Sequence, residues 1–377
     1  MVAVKRFLDF NSLLKKKSFF LLGPRQTGKS FLIRKTLDKY KYYDLLDTEV
    51  FIKLSRNLKL IEQELSQNTK IIIIDEIQRL PLLLNEVHRL IENYNINFLL
   101  TGSSARKLRR GGVNLLGGRA RSRYFHPLIY FELGKQFDIM RALNFGTLPS
   151  IYFSDAPEED LNAYSGDYLQ NEIAYEGLTR NIPAFSRFLE VAALSNSNLI
   201  NYTNIANDAQ VPVSTVQEYF KILKDTLIAF ELPCFKKTIK RKSLSTSKFY
   251  FFDVGVVRNL QQRGFLKEKT PEMGEAFETY IAHELKSFID YSGKGSLSYW
   301  RSKSGFEVDF ILNETIAIEV KTSRNISPSD LKGLKAFREE NMVDEYMVVC
   351  FEKDSRTVAG IQIIHWKKFL SRLWGTS

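Results

Sequence analysis

Residues Phe19 to Ile33 read FFLLGPRQTGKSFLI, and the fold follows from this stretch. Phe19 to Leu22 form a short apolar run ended by Gly23, the pattern of a buried strand. GPRQTGKS then fills every position of the phosphate-loop pattern G-x-x-x-x-G-K-[ST], and FLIRKTL opens a helix behind it. A glycine backbone, lacking Cβ, turns tightly enough to aim successive N–H groups at one phosphate chain. The helix start near Gly28 adds unpaired N–H groups and the positive end of a dipole. Gly23, Pro24, Arg25, Gln26, Thr27 and Gly28 make the cradle. Lys29 is placed to reach the β- and γ-phosphates, and the Ser30 hydroxyl to bind Mg²⁺. Strand, loop and helix in this order predict a site for a nucleoside triphosphate with Mg²⁺.

Working outward, 377 residues exceed one ordinary core and predict two or three domains. A hydrophobic fraction of 44% argues against disorder. The formal net charge of +11 fits either a polyanionic partner or lysine-rich solubility, and charge alone does not separate the two. Two cysteines, Cys234 and Cys350, exclude a disulfide framework and suit a reducing compartment. The four histidines are scattered without zinc spacing. No apolar run reaches bilayer length, so the expectation is a soluble, cytoplasmic chain with no membrane partner.

Downstream, KIIIIDEIQRLP places an uninterrupted β-branched run at Ile71 to Ile74, the mark of a parallel strand buried on both faces. It ends in Asp75 and Glu76. NFLLTGSS, Asn97 to Ser104, reads as another buried strand, and LLGGRARSRYFHPL carries Arg119, Arg121 and Arg123 just ahead of a fifth. Between Glu132 and Ser195 the pattern is helical. TNIANDAQVPVSTVQEYFKIL then gives helix, turn and a second helix capped by Ser214, the spacing of a helix-turn-helix. LIAFELPCF and KFYFFDVG read as wing strands around a basic stretch with Lys236, Lys237, Lys240, Arg241, Lys242 and Lys248. Such a wing suits DNA phosphates, although winged helices also pack internally and charge runs are often only solvated loops. From about Thr270, a long helix bearing Glu278 and Glu284 precedes three strands, a helix from Ser327 to Asn341, the strand EYMVVCF and a closing segment near Trp366. Period-two alternation puts Glu319 and Lys321 of EVK on one strand face, where Asp309 of the adjacent EVDF strand meets them.

The IIIIDE segment resembles a Walker B element. Asp75 would hold Mg²⁺ through a water beside Ser30, and Glu76 would polarise the attacking water. With LLTGSS, GGRAR, HPLIYFEL and GTLPSIY, the chain is similar to prokaryotic AAA+ ATPases that carry a winged-helix segment and a C-terminal PD-(D/E)XK nuclease-like domain. The resemblance implies an α/β fold: a P-loop NTPase, AAA+-like parallel sheet (1–135), a helical lid (136–198), a winged helix (199–262) and a restriction-endonuclease-like α/β domain (263–377). It makes Ser103 the sensor of the γ-phosphate. It makes Arg119 the first choice for a finger reaching a neighbour's nucleotide in a ring, a hexamer. In the last domain it implies a Mg²⁺ site of Asp309 and Glu319, with Lys321 helping to bind or activate the attacking water, Glu284 as the extra acid and Glu278 the alternative. The function implied is ATP hydrolysis coupled to DNA, with metal-dependent DNA binding or cleavage. The rival is a nucleotide-controlled switch that binds a protein partner with little turnover.

Overall fold

The computed structural model describes residues 4–104, 116–168 and 181–375. The chain divides into two compact units. One comprises Arg6–Pro127 with Asp225–Ile228, and the other comprises Met1–Lys5, Leu128–Lys224 and Ala229–Ser377.

The first unit is built on five parallel strands: β1 (Ser18–Leu22), β2 (Lys41–Asp44), β3 (Ile71–Asp75), β4 (Asn97–Gly102) and β5 (Ala120–Tyr124). Their order across the sheet is β2-β3-β4-β1-β5. Because side chains alternate along a strand, Phe20, Leu22, Ile72, Ile74, Phe98 and Leu100 enter one apolar core. Phe19, Leu21, Ile71, Ile73 and Leu99 enter a second, on the opposite face. This is a P-loop NTPase-like α/β sheet, as the sequence predicts. The helix Phe10–Lys16 is capped by Asp9, and the helix Leu83–Tyr94 buries Leu83, Leu84, Val87 and Leu90 against the sheet. Arg121 and Arg123 lie inside β5 rather than ahead of it. All five carboxyl ends point the same way, which gathers the loops after β1, β3 and β4 at one rim.

In the second unit the helices Tyr202–Ala209 and Val213–Asp225 are separated by a turn at Gln210, whose φ of 54° lies in the left-handed region. The second helix starts earlier than a Ser214 cap requires, because the Pro212 carbonyl already accepts from the N–H groups of Thr215 and Val216. β6 (Ala229–Leu232) and β7 (Lys248–Phe251) pair antiparallel. Six further strands follow: β8 (Leu297–Arg301), β9 (Glu307–Leu312), β10 (Ile316–Val320), β11 (Glu345–Cys350), β12 (Arg356–Val358) and β13 (Ile361–His365). They form a mixed sheet of order β12-β13-β11-β10-β9-β8. The helix Pro271–Ser292 packs Phe277, Tyr280, Ile281 and Leu285 on one face of it. The helix Lys332–Arg338, shorter than the sequence predicts, packs Leu334 and Phe337 on the other. Among the described residues no helix is long and apolar enough to cross a membrane.

Candidate nucleotide site and a C-terminal charge cluster

At the end of β1 the chain turns sharply. Gly23 donates its N–H to Gly102 at 3.2 Å, and a Cβ there would lie 2.3 Å from the Phe125 carbonyl oxygen, so only glycine passes. Gln26 and Gly28 take φ of 60° and 92°, folding the loop back onto the start of the helix Lys29–Thr36. Thr27 is buried and its hydroxyl donates to the Pro24 carbonyl at 2.9 Å. Arg6 ties the loop from outside, donating to the carbonyls of Thr27 and His126 at 2.7 Å each while its guanidinium lies 3.9 Å over the Phe125 ring. Lys29 is buried, and its ammonium donates to the Gly23 and Pro24 carbonyls at 2.7 and 2.8 Å. Ser30 stands partly exposed beside it.

Two strands over, Asp75 closes β3 and is 1% exposed. Its two oxygens accept hydroxyl hydrogens from Tyr42 and Thr101, which fixes the carboxylate and leaves further lone pairs on both oxygens. Glu76 follows in the left-handed region (φ 59°), a conformation that turns its side chain out of the strand's alternation. Its N–H donates to the Thr101 hydroxyl at 3.1 Å. Burial pushes the Glu76 carboxyl above its ordinary range, and the charges of Lys29 and Arg25 pull it back. Lys29, Asp75 and Glu76 thus share one electrostatic site. Ser103, just past β4, joins them through Gln78, whose amide donates to both Glu76 and Ser103. Gln78 stands in the same DEIQ run, where no local pattern marks it out. Arg119 pairs with Glu92 of its own chain.

In the second unit Asp309, Glu319 and Lys321 lie together, with Glu278, the alternative, rather than Glu284 beside them. Asp309 on β9 accepts the Val320 N–H of adjacent β10 at 2.8 Å, and Lys321, just past β10, donates to Glu319 two residues back at 2.6 Å. Glu284, however, does not join them. It is fully buried and accepts from the Tyr130 N–H, the Tyr280 hydroxyl and the Trp374 indole at 2.6, 2.5 and 2.7 Å. Glu278, two turns earlier on the same helix, is the acid coupled electrostatically to Asp309. A lysine enters with it: Lys248 of β7 meets Glu278 at 3.3 Å and Glu307 at 2.5 Å, with only 5% of its side chain exposed. Burial raises the carboxyls of Glu278 to about 7 and Glu319 to about 8, the latter with Asp309 adding repulsion. Burial works against the ammoniums of Lys248 and Lys321, but the surrounding carboxylates hold both above their ordinary value. Among the described residues no three acidic, histidine or cysteine groups stand at metal-holding spacing. One buried oxygen, Oε2 of Glu319, has no hydrogen-bond partner, yet the positive charge beside these acids already comes from two lysines. The residues present do not fit a Mg²⁺ centre of Glu284, Asp309 and Glu319.

The basic stretch is likewise not a free wing. The N–H groups of Ile239, Lys240 and Arg241 converge on the Glu340 carboxylate at 2.8 to 2.9 Å. Arg241 pairs with Glu339, Lys237 with Glu314, and Lys248 is the buried lysine above. Lys236, Lys240 and Lys242 remain exposed.

Comparison with known proteins locates the chain among relatives. Residues 15–134 match the family model described as an AAA domain, which supports a nucleotide-hydrolysing module of AAA type. Residues 136–267 and 273–369 match two domains of unknown function, DUF8612 and DUF4143. An uncharacterized protein of Mycobacterium tuberculosis is 24% identical over 327 residues, covering 84% of this chain and 72% of its own length. An uncharacterized protein of Haemophilus influenzae is 23% identical over 293 residues, covering 69% and 73%. Among solved structures, the Pif1 helicase of Candida albicans aligns over 98% of this chain and 99% of its own at 13% identity. Its TM-score of 0.23 carries no argument.

Proposed function

We propose that the chain binds ATP in the loop Gly23–Ser30 and hydrolyses it. The observation that carries this reading is the meeting of a phosphate loop, a buried Lys29 and the Asp75–Glu76 pair at one rim of a parallel sheet. The left-handed Gly28 and the helix behind it aim backbone N–H groups at a phosphate chain, and Lys29 exchanges its carbonyl partners for phosphate oxygens. The hard oxygens of Ser30 and Asp75 fit Mg²⁺. When bound, that ion neutralises charge on the β- and γ-phosphates. Glu76 orients the attacking water and takes its proton; its raised carboxyl makes it a better base than an exposed glutamate. Ser103 places a hydroxyl near the terminal phosphate. Arg119 acts in a neighbouring protomer's site once assembly draws it from Glu92.

The test is Mg·ATP affinity by calorimetry together with phosphate release, in wild type and Lys29→Ala. Binding and turnover in the wild type, both lost in the variant, support the reading. A folded wild type with no affinity for ATP overturns it.

DNA is the partner we propose for this ATPase, on the net charge of +11 and the exposed Lys236, Lys240 and Lys242. Turnover should rise with added DNA, and the stimulation should fall as salt increases. An identical rate with single-stranded, duplex and branched DNA favours the nucleotide switch instead. No cleavage step is assigned to Asp309, Glu319 and Lys321.

A further inference from the structure

Gln78 is 3% exposed in the short 3-10 turn that follows Glu76. Its amide nitrogen has two hydrogens, and both are used: one goes to Oε2 of Glu76, the other to Oγ of Ser103 at 3.1 Å. Its amide oxygen has no partner and is buried. Leaving such an acceptor unpaired is unfavourable, and flipping the amide would aim that oxygen at the Glu76 carboxylate. The orientation is therefore set by the two donors. Gly102, the last residue of β4, makes room for it: a Cβ there would stand 2.7 Å from the Gln78 amide oxygen. The arrangement joins the tips of β3 and β4 twice, once through Thr101, which links Asp75 to the Glu76 backbone, and once through Gln78, which links the Glu76 side chain to Ser103.

We propose that Gln78 is a positioning residue for hydrolysis, which sets the Glu76 carboxylate and the Ser103 hydroxyl relative to each other so that both address the same attacked phosphorus. This rests on the ATPase reading and adds to it a residue that acts through Glu76 and Ser103 without touching the nucleotide. Glu76 keeps its other oxygen for the water while Gln78 holds the first. Ser103 accepts from Gln78, which fixes where its oxygen stands relative to the Glu76 carboxylate.

Two variants separate donation from packing. Gln78→Met keeps the volume and removes both donors, while Gln78→Glu keeps the shape and places a carboxylate against Glu76. Each is compared with wild type, Glu76→Gln and the double variant Glu76→Gln/Gln78→Met. The readouts are the affinity for a fluorescent ATP analogue with Mg²⁺, the thermal midpoint without nucleotide, and kcat and KM for phosphate release. The expected result is affinity and KM within about threefold of wild type and kcat lower by roughly 30-fold or more, the scale of losing a preorganised hydrogen bond at a reacting centre. The loss in the double variant should be clearly smaller than the product of the two single losses, because part of the effect of Gln78 runs through that carboxylate and only the Ser103 part remains. A kcat within twofold of wild type in Gln78→Met, with Glu76→Gln inactive, overturns the inference and leaves the ATPase reading standing. So does a double variant whose losses multiply. A wild type that binds no ATP removes both together.

Discussion

Lys248→Met removes the charge that holds the C-terminal cluster together, and the structure fixes the size of the effect. The ammonium is 3.3 Å from Glu278 and 2.5 Å from Glu307, with 5% of its side chain exposed, so solvent does not replace it. Breaking a buried pair from one side costs about 3–5 kcal/mol, because the remaining carboxylates lose their counter-charge. Glu278 offers an escape by taking a proton. Burial has already pushed its carboxyl up to about 7 while Lys248 pulls it down, so without Lys248 it rises further. A carboxyl whose folded pKa exceeds its unfolded value binds more protons when folded. Its favourable contribution is full below an unfolded value of about 4.5 and is lost as pH rises through the folded value. In the variant that window extends upward, so the loss relative to wild type is larger at pH 8.5 than at pH 5.5. Trp300, Trp366 and Trp374 are the chain's three tryptophans and all lie in the second unit, so urea denaturation followed by tryptophan fluorescence reports on the unit that contains the cluster. With a slope of about 3 kcal/mol/M, the midpoint should fall by about 1 M at the higher pH and by less at the lower. Equal midpoints for variant and wild type at both pH values would refute the account.

Three other outcomes follow from named contacts. Glu76→Gln should retain Mg·ATP affinity while phosphate release falls about 100-fold or more, the usual worth of a general base; unchanged turnover would remove Glu76 from the chemistry. Glu284→Gln must turn an NH₂ toward one of three donors and should destabilise the second unit by about 2 kcal/mol. Since burial raises this carboxyl to about 7, it makes wild-type stability fall between about pH 4.5 and 7, and the variant's fluorescence-detected melts should lose that share of the slope while Glu278 and Glu319 keep theirs. Gly333→Ala puts a Cβ 1.8 Å from the Glu307 carbonyl oxygen, so the helix Lys332–Arg338 must lift from β9, at a cost of about 1–3 kcal/mol in the same urea titration.

What the sequence shows and what it conceals divide along a physical line. The phosphate loop, the strand Ile71–Asp75 and the strand before Ser103 are contiguous, and their local geometry depends on residue types a few places apart. A reader of the sequence therefore finds Lys29, Asp75 and Glu76 without knowing where anything else goes. Gln78 escapes because its role depends on Ser103, 25 positions away, and on the glycine opposite it. Glu284 and Glu278 sit on the same helix, and both read as candidate acids. Only the packing of Tyr130, Tyr280 and Trp374 around Glu284 settles which of them faces Asp309.

The basic stretch shows most clearly why composition misleads. Read alone, KKTIKRKSLSTSK is a strip of positive charge awaiting a polyanion. In the fold its backbone wraps the Glu340 carboxylate, roughly a hundred residues downstream, and three of its six cations meet Glu314, Glu339 and the Glu278–Glu307 pair. A charge already paired inside its own unit releases few counterions when DNA approaches, so it adds little to the salt dependence of binding. Neutralising the exposed Lys236, Lys240 and Lys242 should therefore lower the salt slope of any DNA affinity. Neutralising Arg241 or Lys248 should instead appear as lost stability with the slope unchanged. If Arg241→Ala lowered the slope while leaving the urea midpoint in place, the strip would have to leave Glu339 and Glu340 whenever DNA is present, and its contacts with them would be one of two states rather than the resting arrangement.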